Sequence, residues 1–375
     1  MEQKFSSFRA MEAANHSKNN AMEAENYAKH GRCNKKAVLF KRYLALLSFV
    51  FISSLVLVPL QHAFAQGKTL QLSGINIRDP FILAHANSRT YYMYASSSVK
   101  DADGQTRGGV MVYKSKDLVL WEESVQVFTA PENNWISGYV WAPEVHEYQE
   151  RYYLFATLNS DIKWKKSIKD WPDFTFRGTQ IFHSDTPEGP FLPFDLTPHT
   201  PIDRMALDGT LWVDDGKPYM IYCHEWVQIA DGTMELVELS PDLSAPAGNS
   251  VTLFHASAAD WSTGFKSKEP LPDGYVTDGC FLYKTKTGKL LMIWSSFMDG
   301  EYAIGIAESV TGKVGGPWKQ QEEPLFTKNG GHGMIFKSFD GKLNITFHQP
   351  NSPSGAERAQ IFEIEDLGYT LKLKQ

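Results

Sequence analysis

The sequence predicts an all-β chain in which five four-stranded antiparallel sheets form a propeller around a central axis. Three observations carry this. After residue 65, apolar and aromatic residues alternate in short runs between turns rich in Gly, Asp, Asn and Pro, with few helical periodicities. A unit made of a strand start, a turn and an aromatic or aliphatic strand recurs five times. The copies are spaced by 63, 66, 70 and 54 residues, which is room for one four-stranded sheet plus loops. A two-sheet sandwich would not need the same marker five times.

The segment 1–65 stands apart from the domain at 66–375. Residues 1–36 are polar and aperiodic, Lys41 and Arg42 supply positive charge, Tyr43 to Leu60 is almost wholly apolar, and Ala63-Phe64-Ala65 follows. A basic region, an apolar region and an A-x-A site in that order read as a signal peptide cleaved after Ala65, which makes the protein exported, periplasmic or secreted. Those 18 apolar residues could also span a bilayer, so an uncleaved anchor stays open beside it. A true start at Met22 would account for the polar extension. Once cleaved, the chain has no stable membrane association. Setting aside the nine basic and four acidic residues of this segment leaves 28 Lys plus Arg against 39 Asp plus Glu, a net charge near −11. Nucleic acid is therefore excluded as a partner. Cys33 leaves with the segment, and nothing in the sequence says whether Cys223 and Cys280 pair.

The five copies run in order along the chain. Asp79-Pro80-Phe81-Ile82 precedes Tyr91 to Ser96, and Ala142-Pro143-Glu144-Val145 precedes Tyr152 to Thr157. Asp208-Gly209-Thr210-Leu211 is followed by Pro218 to Tyr222, Asp278-Gly279-Cys280-Phe281 by Leu290 to Trp294, and His332-Gly333-Met334-Ile335 by Leu343 to Phe347. Third strands follow, such as Gly109 to Lys114 and Tyr302 to Ala307. One such sheet cannot cover both of its faces, whereas five packed radially can.

In a propeller the first strand of each blade lines the channel, so equivalent strand starts form a ring at one mouth. The ring reads Asp79, Ala142, Asp208, Asp278 and His332. A single Asp-Gly or Asp-Pro pair is more often a turn. Three carboxylates at one repeat position point elsewhere: they repel, their pKa values separate, and one holds a proton while another stays ionised. Cleavage of a glycosidic bond needs such an acid and such a base. Trp141, Trp226 and Trp294 lie near strand ends at the same mouth, where indoles can stack on sugar C–H faces. Glu144, two residues past its ring position, faces the same way, and His224 adjoins Trp226; these five are the expected substrate-binding residues.

Arg78-Asp79-Pro80-Phe81, Trp141-Ala142-Pro143-Glu144, Leu207-Asp208-Gly209-Thr210-Leu211-Trp212 with Asp214-Asp215-Gly216-Lys217, and Gly330-Gly331-His332-Gly333 together resemble glycoside hydrolase family 43 over essentially the whole chain after residue 65. The resemblance implies a five-bladed propeller of inverting glycosidases acting on arabinose- and xylose-containing glycans, with Asp79 as general base and Asp208 as the aspartate that orients the acid and raises its pKa. It implies no required cofactor, and a structural calcium on the axis beside His332 as its one metal. Blade four departs from the pattern: the family carries glutamate followed by Gly or Ala and Pro as general acid, and here stands Asp278-Gly279-Cys280. Asp278 is the expected acid and Glu225, in Tyr222-Cys223-His224-Glu225-Trp226, the alternative.

Three functions remain open on the residues. They are a monomeric exo-acting hydrolase of the arabinofuranosidase or xylosidase type on oligo- or polysaccharide, a propeller that only binds sugar, and a propeller glycosidase for galactofuranosides, fructosides or anhydrogalactose. The stretch from Asp161 to Arg177, with Trp164, Trp171 and Phe174, is long enough to wall the pocket, which would make the action exo.

Overall fold

The computed structural model describes residues 68–374, apart from 101–103, 132–134, 136–138, 166–170 and 268–270. The signal peptide expected in 1–65 and its cleavage after Ala65 lie outside these. Among the described residues no helix is long and apolar enough to cross a membrane.

The chain forms five antiparallel blades in a ring, as the repeat predicts. Blade one runs outward from Phe81–His85 through Thr90–Lys100 and Thr106–Ser115. Its edge is shared by Leu120–Glu122, extended by Thr69–Gln71, and Val125–Thr129. Blade two is Val140–Tyr148, Arg151–Lys165, Phe174–Ser184 and Leu192–Pro193; blade three is Ala206–Asp214, Lys217–His224, Thr233–Glu238 and Val251–His255. Blade four is Asp278–Lys284, Leu290–Met298, Glu301–Ser309 and Trp318–Gln320; blade five is Gly331–Lys337, Leu343–Gln349, Arg358–Asp366 and Leu371–Leu373.

The second strands read as unbroken apolar runs because each blade is covered on both faces. Side chains alternate across a strand, and in blade four Leu290, Met292 and Trp294 pack with Ile221 and Cys223 of blade three. The intervening Leu291 and Ile293 pack with Ile335 and Ile345 of blade five. Each such side chain removed from water contributes about 1.5–3 kcal/mol. Trp294 is fully buried, against Phe254 at 5.4 Å and Trp261 at 4.8 Å, with its indole N–H donated to Gln320 at 3.0 Å. This corrects the expectation that Trp294 faces sugar: it sits in mid-strand, and a blade with two covered faces draws its largest apolar group inward. Cys223 and Cys280 are both buried free thiols.

The ring closes between the first and last blades. Asn76 forms an antiparallel bridge with Arg358, Ile77 N–H donates to Glu357 O at 3.2 Å, and the Asn76 amide donates to Gly355 O and Glu357 O. Below the mouth Phe81 of blade one meets His146 of blade two at 5.0 Å and Phe281 of blade four at 6.3 Å. The site above therefore has an apolar floor.

Candidate active site

The mouth is built by one backbone device repeated five times. Asp79, Ala142, Asp208, Gly279 and His332 all have left-handed backbone, with φ of 51°, 42°, 57°, 47° and 56°. In blades two to five the ladder slips there, between Trp141 and Glu144, Leu207 and Thr210, Asp278 and Phe281, and Gly331 and Met334. Each slip is a β-bulge that turns its first residue toward the axis. In blade one Pro80, which has no N–H to give a ladder, ends the pairing at the same point. Left-handed backbone costs a residue with a side chain about 1–2 kcal/mol, a strain found where function requires it.

The device corrects the ring by one residue in blade four. Gly279, not Asp278, is the counterpart of Asp79, Asp208 and His332, and a Cβ there would lie 2.6 Å from His332 Cγ. Asp278 shares its place with Arg78, Trp141, Leu207 and Gly331, one step outward from the ring. It nevertheless reaches the same mouth: it interacts with Arg78, Asp79 and His332, and its Oδ2 accepts from the Tyr302 hydroxyl at 3.0 Å.

His332 ties the other two carboxylates together. Its Nδ1 stands 3.2 Å from Asp79 Oδ1 and 3.7 Å from Asp208 Oδ2, while its backbone N–H donates to Ser295 Oγ. Gly279 N–H donates to Asp208 Oδ2 at 3.1 Å, and Asp208 N–H to Thr157 Oγ1 at 2.8 Å. Asp79 also meets His348 Nδ1 at 3.1 Å and Arg78 Nε at 3.8 Å. Glu144 faces His332 and is braced by His146 Nε2 at 2.8 Å.

These partners separate the charge states. Burial alone would raise the Asp79 pKa, but His332, His348 and Arg78 more than offset it and hold the carboxyl below the usual range. Asp208 goes the other way: burial raises it, Asp278 and Asp79 add to that, and His332 only partly opposes. Asp278 is raised by burial, against His332, Tyr302 and Arg78. Burial would lower His332, yet Asp79, Asp208 and Asp278 raise it, favouring the imidazolium.

The rim lies between blades two, three and four. Arg177, on the third strand of blade two, pairs with Glu225, donates from Nε to Asn159 at 2.6 Å, and lies 4.3 Å over the indole of Trp141. Trp141 is 38% exposed, as a stacking platform would be. Burial raises the Glu225 pKa; Arg177 lowers it and Asp278 raises it further. Trp226 is wedged between Trp171 at 5.2 Å and Phe265 at 4.6 Å, and Trp171 donates its indole N–H to Val227 O at 2.7 Å. Those contacts dock the blade-two hairpin on the short helix Trp226–Ile229. The His224 ring is directed at Gln228, at 2.9 Å, so it is not brought to the carboxylates with its neighbour Glu225.

A calcium ion takes six to eight oxygen ligands. Around His332 the ring nitrogen on the carboxylate side is already engaged by Asp79 and Asp208, and among the described residues no group of three or more His, Cys, Asp or Glu is arranged to hold a metal. Among the described residues, the side chains beside His332 do not by themselves supply such a shell.

Sequence reasoning missed Arg177, Tyr302 and His348. Tyr302 lies second in a third strand and His348 next to last in a second one, and neither repeat position carries a marker. Arg78 lies in the Arg78-Asp79-Pro80-Phe81 motif, which by itself gives it no role.

The fold and the mouth define a class: a five-bladed propeller that gathers carboxylates from three blades around an axial histidine. The sequence profile described as Glycosyl hydrolases family 43 matches residues 73–363, and the chain belongs to that family. The endo-arabinase of Bacteroides thetaiotaomicron VPI-5482 is 39% identical with a TM-score of 0.68, covering 79% of this chain and 96% of that one. The extracellular exo-alpha-(1->5)-L-arabinofuranosidase ArbA of Cellvibrio japonicus (strain Ueda107) is 23% identical over 181 residues, 46% of each chain. Alpha-L-arabinofuranosidase 43 of Humicola insolens is 23% identical over 287 residues, 71% of this chain and 53% of its own. The chain spans about half the length of these two curated relatives.

Proposed function

We propose that this protein is an inverting glycoside hydrolase of arabinose- and xylose-containing glycans, with α-L-arabinofuranosyl linkages as its first substrate class. The observation that carries the reading is the division of charge in one mouth. Asp79 is held as a carboxylate by two imidazoles and a guanidinium, while Asp208 and Asp278 have raised pKa values. Asp79 takes a proton from water as the water oxygen bonds to the anomeric carbon. Asp278 gives its proton to the leaving oxygen; burial and the neighbouring Asp79 carboxylate keep that proton on Asp278 until then, and Asp208 is the axial neighbour that orients it. Glu225 is the second candidate acid, supported by its burial and its place beside Asp278, but its pairing with Arg177 favours the carboxylate.

The action is exo, supported by the Trp171 to Val227 docking that walls the mouth between blades two and three. The endo-arabinase neighbour supports arabinan as the polymer and makes internal cleavage the competing mode; chromatography of early products separates release of arabinose from release of oligosaccharides. Export, supported by the basic and apolar order of 41–65 and by an extracellular relative, and a monomeric state complete the proposal.

Replacing Asp79 with Asn should lower kcat/KM on arabinan by about 10²- to 10⁴-fold while calorimetric binding of arabino-oligosaccharide persists. Near-normal turnover would overturn the assignment, and binding without hydrolysis by the unaltered protein would favour a sugar-binding propeller. The anomer of the first product, followed by NMR, should be inverted.

A further inference from the structure

Tyr302, on the third strand of blade four, lies across the head of blade five. Position 331 makes this possible because it carries no side chain: a Cβ on Gly331 would stand 2.3 Å from Tyr302 Cε1 and 2.6 Å from Cδ1. The phenol ring stacks on the His348 imidazole at 5.7 Å and 21°. Its hydroxyl donates to Asp278 Oδ2 at 3.0 Å. His348 in turn contacts Asp79 Oδ1 at 3.1 Å, and its Nε2 meets Asn351 Oδ1, which also accepts from Arg78. One continuous set of contacts thus runs from Asp278 through Tyr302 and His348 to Asp79.

We propose that Tyr302 is a positioning residue for the proton donor, its hydroxyl fixing the Asp278 carboxyl through Oδ2, with Gly331 as the side-chain-free position that admits it. The inference rests on Asp278 being the acid. A phenol this deeply buried stays protonated, since burial and the nearby carboxylates raise its pKa well above the ordinary value, so it acts only as a donor toward Asp278. That leaves the second Asp278 oxygen to carry the proton to the leaving group. As the proton departs, Asp278 becomes a carboxylate and the bond from Tyr302 strengthens, so the contact favours the transition state over the ground state.

The charged and titratable groups around Asp278 set the expected pH behaviour. Arg78 and Asp79 face it from blade one, His332 from blade five, and Asp208, Glu225 and the Cys223 thiol from blade three, with Tyr302 on its own blade. Tyr302→Phe keeps the ring stack and removes only the donor. Loss of a donor that favours the ionised form raises the pKa of the acid, and the acid must be protonated to act. The alkaline limb of kcat/KM should therefore move to higher pH, by about half to one unit. Turnover of arabinan should fall about tenfold or more, while an aryl arabinofuranoside with a good leaving group is nearly spared.

Gly331→Ala, which displaces the ring from His348, is the second variant and should move the limb the same way. In an Asp278→Asn background, Tyr302→Phe should add nothing further. An unmoved alkaline limb and an unchanged dependence on leaving group in Tyr302→Phe would overturn the proposal while leaving Asp278 as the acid. An alkaline limb that survives in Asp278→Asn would instead remove the reading on which the proposal stands.

Discussion

Blades three and four begin with the same dipeptide, Asp208-Gly209 and Asp278-Gly279, and fold it in two ways. In blade three the aspartate takes the left-handed place and turns to the axis, where His332 and Gly279 N–H reach its Oδ2. In blade four the glycine takes that place because the His332 ring leaves no room for a Cβ, and the aspartate stands one step outward beside Tyr302. Identical residues thereby acquire different neighbours. One carboxylate is locked in the ring beside the axial histidine, and the other stands one step outward, where the proposed mechanism places the leaving oxygen.

The largest expected effect is shared by the two. Asp208→Asn and Asp278→Asn should each lower kcat/KM on arabinan by about 10²- to 10⁴-fold. Equal and near-normal activities would mean that neither blade supplies chemistry. A smaller effect follows from the position of the glycine. Gly279→Ala adds a methyl group 2.6 Å from His332 and forces a side chain into left-handed backbone, so it should destabilise by about 1–3 kcal/mol, measured as a Tm lower by several degrees, with activity reduced through His332. An unchanged Tm would put the bulge of blade four elsewhere.

The smallest effect is on stability against pH. The Asp208 pKa is raised in the folded protein, so its contribution is intact below the unfolded value near 4 and is lost as pH rises through the folded value. Asp208→Asn escapes that loss and should therefore be more stable than the unaltered protein at pH 8 and about equal to it at pH 4. The opposite order in paired melting curves would mean that His332 outweighs burial at this carboxyl.

The same comparison shows what the sequence made legible. Five blades were readable because one marker recurs at intervals that fit four strands, and Asp79, Ala142, Asp208 and His332 were readable because each heads its copy. In blade four the repeated Asp-Gly conceals a left-handed position that falls one residue later than in blade three. Matching Phe281 to Phe81, the two aromatics that meet on the channel floor, selects Gly279 instead. Nothing in the run around Trp294 distinguishes a blade interior from a strand end. Arg177, Tyr302 and His348 were invisible because their partners, Glu225, Asp278 and Asp79, lie 48, 24 and 269 residues away. Only the closing of the ring brings them together.

In the proposed mechanism Asp278, one step off the ring, delivers the proton. The decisive measurement is kcat/KM on aryl arabinofuranosides of graded leaving-group pKa for Asp278→Asn, Asp208→Asn and Glu225→Gln. Only Asp278→Asn should show a steep dependence, with near-normal rates on the best leaving groups and the full loss on the poorest. A flat profile for Asp278→Asn beside a steep one for Glu225→Gln would contradict the account and assign the acid to blade three.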